Sequence, residues 1–193
     1  MYMSNTLLDN TDWKKRTALD ILQDVKAFEL FSSIGKVVVI GSLRLDVMYR
    51  NDIDLFVLSD DIHNTKAKEV TKRLLDSNKF QTVAVADYQT YPENDFPKGY
   101  YWELIVVKNN EKWKFDIWYL RPDEEYTKLV LSCIESFEKI LKEHPEKREI
   151  ILKIKEAYFD GIKYKDKVKS IDIYKAVLEN SIDSVDSFTK FIK

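Results

Sequence analysis

The sequence predicts an α/β chain, a sheet flanked by helices and followed by a helical C-terminal region. Three observations carry that prediction. Residues 37–58, VVVIGSLRLDVMYRNDIDLFVL, run from an apolar strand through a Gly-Ser turn into a second strand. Residues 100–108 and 111–120 flank Asn109-Asn110, a pair suited to a two-residue hairpin turn that needs positive φ. After Pro122 the pattern is helical to the end of the sequence. The division therefore falls at that proline, with residues 1–121 as one unit and 122–193 as a helical region.

The elements follow in order. Residues 12–31 are expected to form one helix, with Leu19, Leu22, Val25, Phe28, Leu30 and Phe31 as its apolar positions. Asp12 or Thr11 is the expected N-cap, and Gly35 lies near its C-terminus. Residues 36–40 are continuously apolar after Lys36, as in a strand buried on both faces. In residues 52–58, Asp52, Asp54 and Phe56 fall on one face and Ile53, Leu55 and Val57 on the other. That alternation turns the two carboxylates away from the core. Residues 61–77 read as an amphipathic helix with Val70, Leu74 and Leu75 inward and His63 near its start, and a strand follows at 80–86. The segment 87–99, with Pro92, Pro97 and Gly99, is long enough for a lid or substrate rim and equally suits a plain connection.

In the hairpin, an Asn109-Asn110 turn pairs residues whose numbers sum to 219, so Glu103 lies opposite Asp116. Trp102, Leu104, Val106, Trp113, Phe115 and Ile117 then form one apolar face. The other face carries Tyr101, Glu103, Lys112, Lys114, Asp116 and Trp118 together with Ile105 and Val107. Helices are expected over 123–143, 145–159, 171–180 and 185–192. Between them, the basic segment 161–170, GIKYKDKVKS, reads as a solvated connector.

Composition narrows the function classes. The 193 residues are 45% hydrophobic, enough for a real core. Lys+Arg at 31 against Asp+Glu at 33 gives a net charge of −2, which argues against a broad nucleic-acid surface and a template-dependent polymerase. The single Cys133 rules out an internal disulfide framework, fits a reducing cytoplasm, and is expected as a small buried apolar residue. The start MYMSNTLLDN lacks a basic region followed by an apolar run, and no stretch approaches a membrane span. A cytoplasmic, membrane-free protein is expected.

Side chains at i and i+2 of a strand share a face with Cα atoms about 6.5–7 Å apart. Asp52 and Asp54 at that spacing repel each other unless a cation lies between them, and carboxylate oxygens suit Mg²⁺ or Mn²⁺. The Gly41-Ser42 turn supplies backbone N–H groups at an expected helix start, where a phosphate can be held. An apolar strand, Gly41-Ser42, a gap of nine residues and Asp52-Ile53-Asp54-Leu55 resemble the signature of the DNA polymerase β-like nucleotidyltransferase superfamily. The resemblance covers roughly residues 12–120.

That resemblance implies a mixed β-sheet and metal-dependent transfer of a nucleoside monophosphate from an NTP. Asp52 and Asp54 would hold the triphosphate metal, and Asp116, within Phe115-Asp116-Ile117, would complete a second site beside the acceptor. Gly41 and Ser42 would hold the terminal phosphates, and Arg44 resembles an arginine that touches phosphate in some branches. Asp46 stands where many members have glycine, which leaves the shape of the turn open. Glu103 is added from the hairpin register alone. Beside Asp116 it is expected either to take the acceptor's proton or to form a salt bridge with Lys114.

A compact catalytic unit with a helical tail looks like the antibiotic-modifying branch, the aminoglycoside and lincosamide nucleotidyltransferases. The acceptor would then be a small-molecule hydroxyl, with Glu93 and Asp95 available to recruit a cationic one. The alternatives are a minimal nucleotidyltransferase acting on a partner protein, as in toxin–antitoxin pairs, and a non-catalytic nucleotide-binding module. The base of the NTP, and a homodimer against a partner protein, are left open by these residues.

Overall fold

The computed structural model describes residues 6–93, 96–160 and 168–192. Its five strands are β1 (Lys36–Val39), β2 (Asp52–Leu58), β3 (Thr82–Asp87), β4 (Gly99–Lys108) and β5 (Glu111–Leu120). They form a single mixed sheet in the order β1-β2-β5-β4-β3, in which only β2 and β5 run parallel. The helices are α1 (Leu7–Asp24), α2 (Ala27–Ser32), α3 (Gly41–Arg44), α4 (Asn64–Asp76), α5 (Glu125–Glu143), α6 (Lys147–Phe159), α7 (Ser170–Leu178) and α8 (Val185–Phe191).

The hairpin register is the one its turn demands. Asn109 and Asn110 adopt φ of 54° and 63°, and Glu103 pairs with Asp116. Trp102, Leu104, Val106, Trp113, Phe115 and Ile117 are all buried, and with Ile53, Leu55 and Val57 they pack against α1, α2 and α4 in one core. A second core joins α5 to α8 and takes in Leu45 and Val47 from the segment after α3. A third, small cluster of Ile40, Phe56 and Leu120 sits under Val130 and Leu131 of α5. The far end of the sheet's second face is therefore covered by the helical region, and the carboxylates lie where that cover begins. Among the described residues no helix is long and apolar enough to cross a membrane.

Several local expectations are corrected. The first helix is two helices, because the chain breaks at Lys26, which takes φ of 55°. Its N-cap is Thr6, with Asp9 completing a capping box, instead of Asp12 or Thr11. Thr11 is buried and donates to the Met48 carbonyl at 2.7 Å. Within α1, Leu19 falls outside the buried stripe of Ala18, Ile21 and Leu22 and is exposed; in α2, which restarts after the break, Phe28 is exposed and Phe31 buried. β1 is an edge strand and half-buried, not enclosed on both faces. Leu75 also faces outward, one position beyond the Val70–Leu74 stripe of α4. The connector at 161–170 lies mostly outside the described residues, as does Asp95.

Candidate active site

Asp54 of β2 pairs in register with Asp116 of β5, and Asp52 pairs with Lys114. Four alternating positions on two parallel strands thus gather three carboxylates and one ammonium on one face. Lys114 Nζ lies 2.7 Å from Asp116 Oδ2, and the Tyr101 hydroxyl of β4 donates to Asp116 Oδ1, so both oxygens of that carboxylate are engaged. Burial lifts the Asp54 pKa to about 7, with the Asp116 and Asp52 charges adding to it. Burial also raises Asp52, opposed by Lys114 and reinforced by Asp116. Burial works against the Lys114 ammonium, but its bond to Asp116 and the charges of all three carboxylates outweigh that and raise its pKa.

Gly41 sets the near wall. Its φ is 64°, and a Cβ added there would stand 2.2 Å from Asp54 Oδ2. The Ile40 N–H donates to the Asp54 carbonyl at 3.0 Å, fixing the turn against β2. The N–H groups of the first turn of α3 have no acceptor within the helix. Gly41→Ala is expected to lose about 1–2 kcal/mol from the left-handed backbone alone. It should also turn the Asp54 carboxylate aside, lowering turnover by more than tenfold in protein whose circular dichroism stays native. Unchanged turnover would show that this close approach is unimportant.

The residue after the turn that departs from the family pattern now has a shape. Asp46 takes φ of 57°, the left-handed conformation glycine favours and aspartate tolerates. Its carboxylate is ion-paired with Lys15. α6 then clamps this segment from one face: Arg148 Nε donates to the Asp46 carbonyl at 2.9 Å, and Lys155 Nζ to the Val47 carbonyl at 2.7 Å. Residues i and i+7 share a helix face, which is why one helix can hold two successive carbonyls.

Lys155 is the main functional candidate the sequence reading missed. It is 1% exposed, also donates to the Tyr174 hydroxyl at 2.8 Å, and lines the cavity that holds Asp52 and Asp54. Burial pulls its pKa down to about 7, against the pull of Asp54 and Asp52. It falls within the helix expected over 145–159, and nothing local distinguishes a lysine that lines a cavity from one in water.

The cavity measures about 640 Å³ and lies between the sheet and the helical region. Gly41, Ser42, Asp52 and Asp54 form one side, and Tyr126, Cys133, Lys155, Ser170 and Tyr174 line the other. Cys133 is half-buried in this wall, a departure from the fully buried residue expected. A second cavity, about 410 Å³, opens from Asp54 and Asp116 toward Tyr101 and Trp118. Arg44 is turned to α5, where its Nη2 lies 3.0 Å from Glu138 Oε2. It does not line either cavity, and neither does Glu103.

Among the described residues no three Asp, Glu, His or Cys side chains form a ready-made metal cage. A hard cation such as Mg²⁺ does not require one, since it binds through one or two carboxylates and completes its shell with phosphates and water. The donor set fits that mode: Asp52 and Asp54 share a face, Asp116 adjoins them, and the charge gathered there has drawn in the Lys114 ammonium.

The mixed five-stranded sheet with flanking helices is a nucleotidyltransferase-type fold. A solved structure of a cytoplasmic RNA terminal U-transferase superposes with a TM-score of 0.52 at 19% identity, covering 88% of this chain and 48% of that one. This chain thus spans about half the length of that enzyme. The structure of E. coli MS115-1 CdnC with ATP matches at a TM-score of 0.46 and 15% identity, over 96% of this chain and 63% of that one. The Cid1 poly(U) polymerase matches at 0.45 and 12%, over 76% and 46%. No protein-family model and no curated protein sequence matches the chain.

Proposed function

We propose that this chain is a Mg²⁺- or Mn²⁺-dependent nucleotidyltransferase that moves a nucleoside monophosphate from an NTP to an acceptor hydroxyl. The observation that carries it is Asp52, Asp54 and Asp116 converging in register beside the Gly41-Ser42 turn, at the meeting of two cavities. The larger cavity suits the NTP. The first-turn amides of α3 and Ser42 would receive the terminal phosphates, and Lys155 would supply the cation that the engaged Arg44 does not. Tyr126, exposed in the cavity wall, offers a ring face for the base. Asp52 and Asp54 would hold the triphosphate metal, with Asp116 toward the acceptor. A bound divalent cation would neutralise phosphate charge and favour departure of pyrophosphate.

The acceptor oxygen forms a bond to the α-phosphorus as the bond to the pyrophosphate oxygen breaks, and the hydroxyl proton passes to a carboxylate. Asp116 lines the second cavity and is better placed for that proton than Glu103. A cavity of about 410 Å³ favours a small-molecule acceptor. A second reading has one observation behind it: Lys14, Arg50, Lys112 and Lys114 line an open cavity of about 330 Å³ beside Asp52. That basic strip suits an acceptor carrying phosphates, as the RNA named for the U-transferase does. Acceptor KM that climbs steeply with salt would favour it.

The test is thermal shift with each of the four NTPs, with and without Mg²⁺, alongside thiol labelling of Cys133. An NTP at 100 times its Kd should stabilise the chain by about 2.7 kcal/mol, only with the metal present. It should also slow maleimide labelling of Cys133 at least tenfold, because that thiol lines the same cavity. Labelling unaffected by any NTP would place the nucleotide elsewhere.

A further inference from the structure

The second cavity has a floor that the transfer chemistry does not require. Tyr88 and Phe96, from the segment between β3 and β4, stack with Trp118 of β5. Ring centroids are 4.7 Å apart for Tyr88–Phe96, 5.5 Å for Tyr88–Trp118 and 6.0 Å for Phe96–Trp118. The three interplanar angles are 22°, 29° and 27°, so the rings share one orientation. Tyr101 leans on Trp118 at 4.9 Å and donates its hydroxyl to Asp116. Rings that served only to pin the segment would be covered by it, yet Phe96 keeps 44% of its surface exposed. A concave site lined by aromatic side chains with a few convergent polar groups is the usual form of a small-molecule pocket.

We propose that this aromatic shelf is the acceptor subsite and that it takes a planar ring, with the acceptor's hydroxyl carried beside that ring toward Asp116. The proposal rests on the nucleotidyltransferase reading and adds the acceptor's chemical class. The cavity shares Ile40, Asp54 and Tyr126 with the larger one, so a ring on the shelf and an NTP opposite would meet at Asp54. The common tilt of the three rings matches a flat partner better than a puckered sugar. A nucleoside and a phenyl-bearing alcohol present the same flat face, and their separation is a matter for experiment.

The experiment measures binding by isothermal titration calorimetry of the whole chain with adenosine, with uridine, with 2-phenylethanol and with the amino sugar glucosamine. Each titration is repeated on Phe96→Ala and Trp118→Leu, and the NTP thermal shift is run on the same three preparations. The planar probes are expected to bind, and each substitution to weaken them about 5- to 150-fold, the range for loss of one stacking partner. The NTP response should change less than twofold. Tighter binding of the nucleosides would make the acceptor a nucleotide, and tighter binding of 2-phenylethanol an aromatic alcohol. Glucosamine binding as well as the planar probes, or planar binding indifferent to both substitutions, overturns the subsite while an intact NTP response leaves the donor site standing. Planar binding with no NTP response overturns the acceptor role. No response to either overturns both readings.

Discussion

Replacing Asp54 with asparagine is expected to cut metal-dependent turnover by about 10²–10³-fold or more while making the ligand-free protein more stable. Burial first, then Asp116 and Asp52, lifts the Asp54 pKa to about 7, whereas an unfolded chain holds an aspartate near 3.9. Between about pH 4 and 7 the folded state therefore binds more protons than the unfolded state, and wild-type stability falls as the pH rises through that window. Asparagine keeps the shape and removes the charge, so its advantage opens above about pH 4 and is complete above about 7. Discounted for the water that reaches this partly buried carboxylate, it should be on the order of 2 kcal/mol, or a rise in Tm of about 4–8 °C. Melting curves at pH 5 and pH 8 for both proteins check it. A variant less stable than wild type at pH 8 would mean that Asp54 is held by an attractive contact instead of being crowded.

Lys155→Met is expected to weaken NTP binding about 10- to 100-fold, the worth of one charged contact, with little change in stability at pH 7. Removing the ammonium from a buried position offsets the loss of its bonds to the Val47 carbonyl and the Tyr174 hydroxyl. The sign of its pH effect is opposite to that of Asp54. Burial lowers the Lys155 pKa to about 7 from about 10.4 in the unfolded chain. Above about pH 7 the unfolded state binds the extra proton, so folded stability rises toward about pH 10. Together these two groups give the ligand-free wild type a shallow stability minimum near neutrality. Asp54→Asn should erase its acid side and Lys155→Met its alkaline side. Denaturant midpoints from pH 5 to 10 on the three proteins read both arms, and a flat wild-type curve would sink the account.

Much of the sheet was legible because strand chemistry is local. The turn preference of Asn109-Asn110 specifies the register by itself, and period-two alternation puts Asp52 and Asp54 on the face away from Ile53, Leu55 and Val57. The helical tail was legible for the same reason, from periodicity after Pro122. The first helix was not, because its break rests on one lysine in a left-handed conformation, which no local pattern announces. β1 misled by being apolar yet lying at the sheet edge, since strand order is a matter of topology and not of composition.

The sequence by itself determined the fold class, the hairpin register and the three aspartates worth watching, because turn chemistry and side-chain alternation act within a few residues. Only the tertiary structure decided what surrounds them. It seated Asp54 against Gly41, turned Arg44 to Glu138, brought Lys155 from 101 residues downstream of Asp54 to the same cavity, and stacked Phe96 on Trp118. Arg44 and Lys155 are set by how the helical region closes over the sheet, and Gly41 and Phe96 by how a turn and a loop lie against β2 and β5; local sequence carries no term for either.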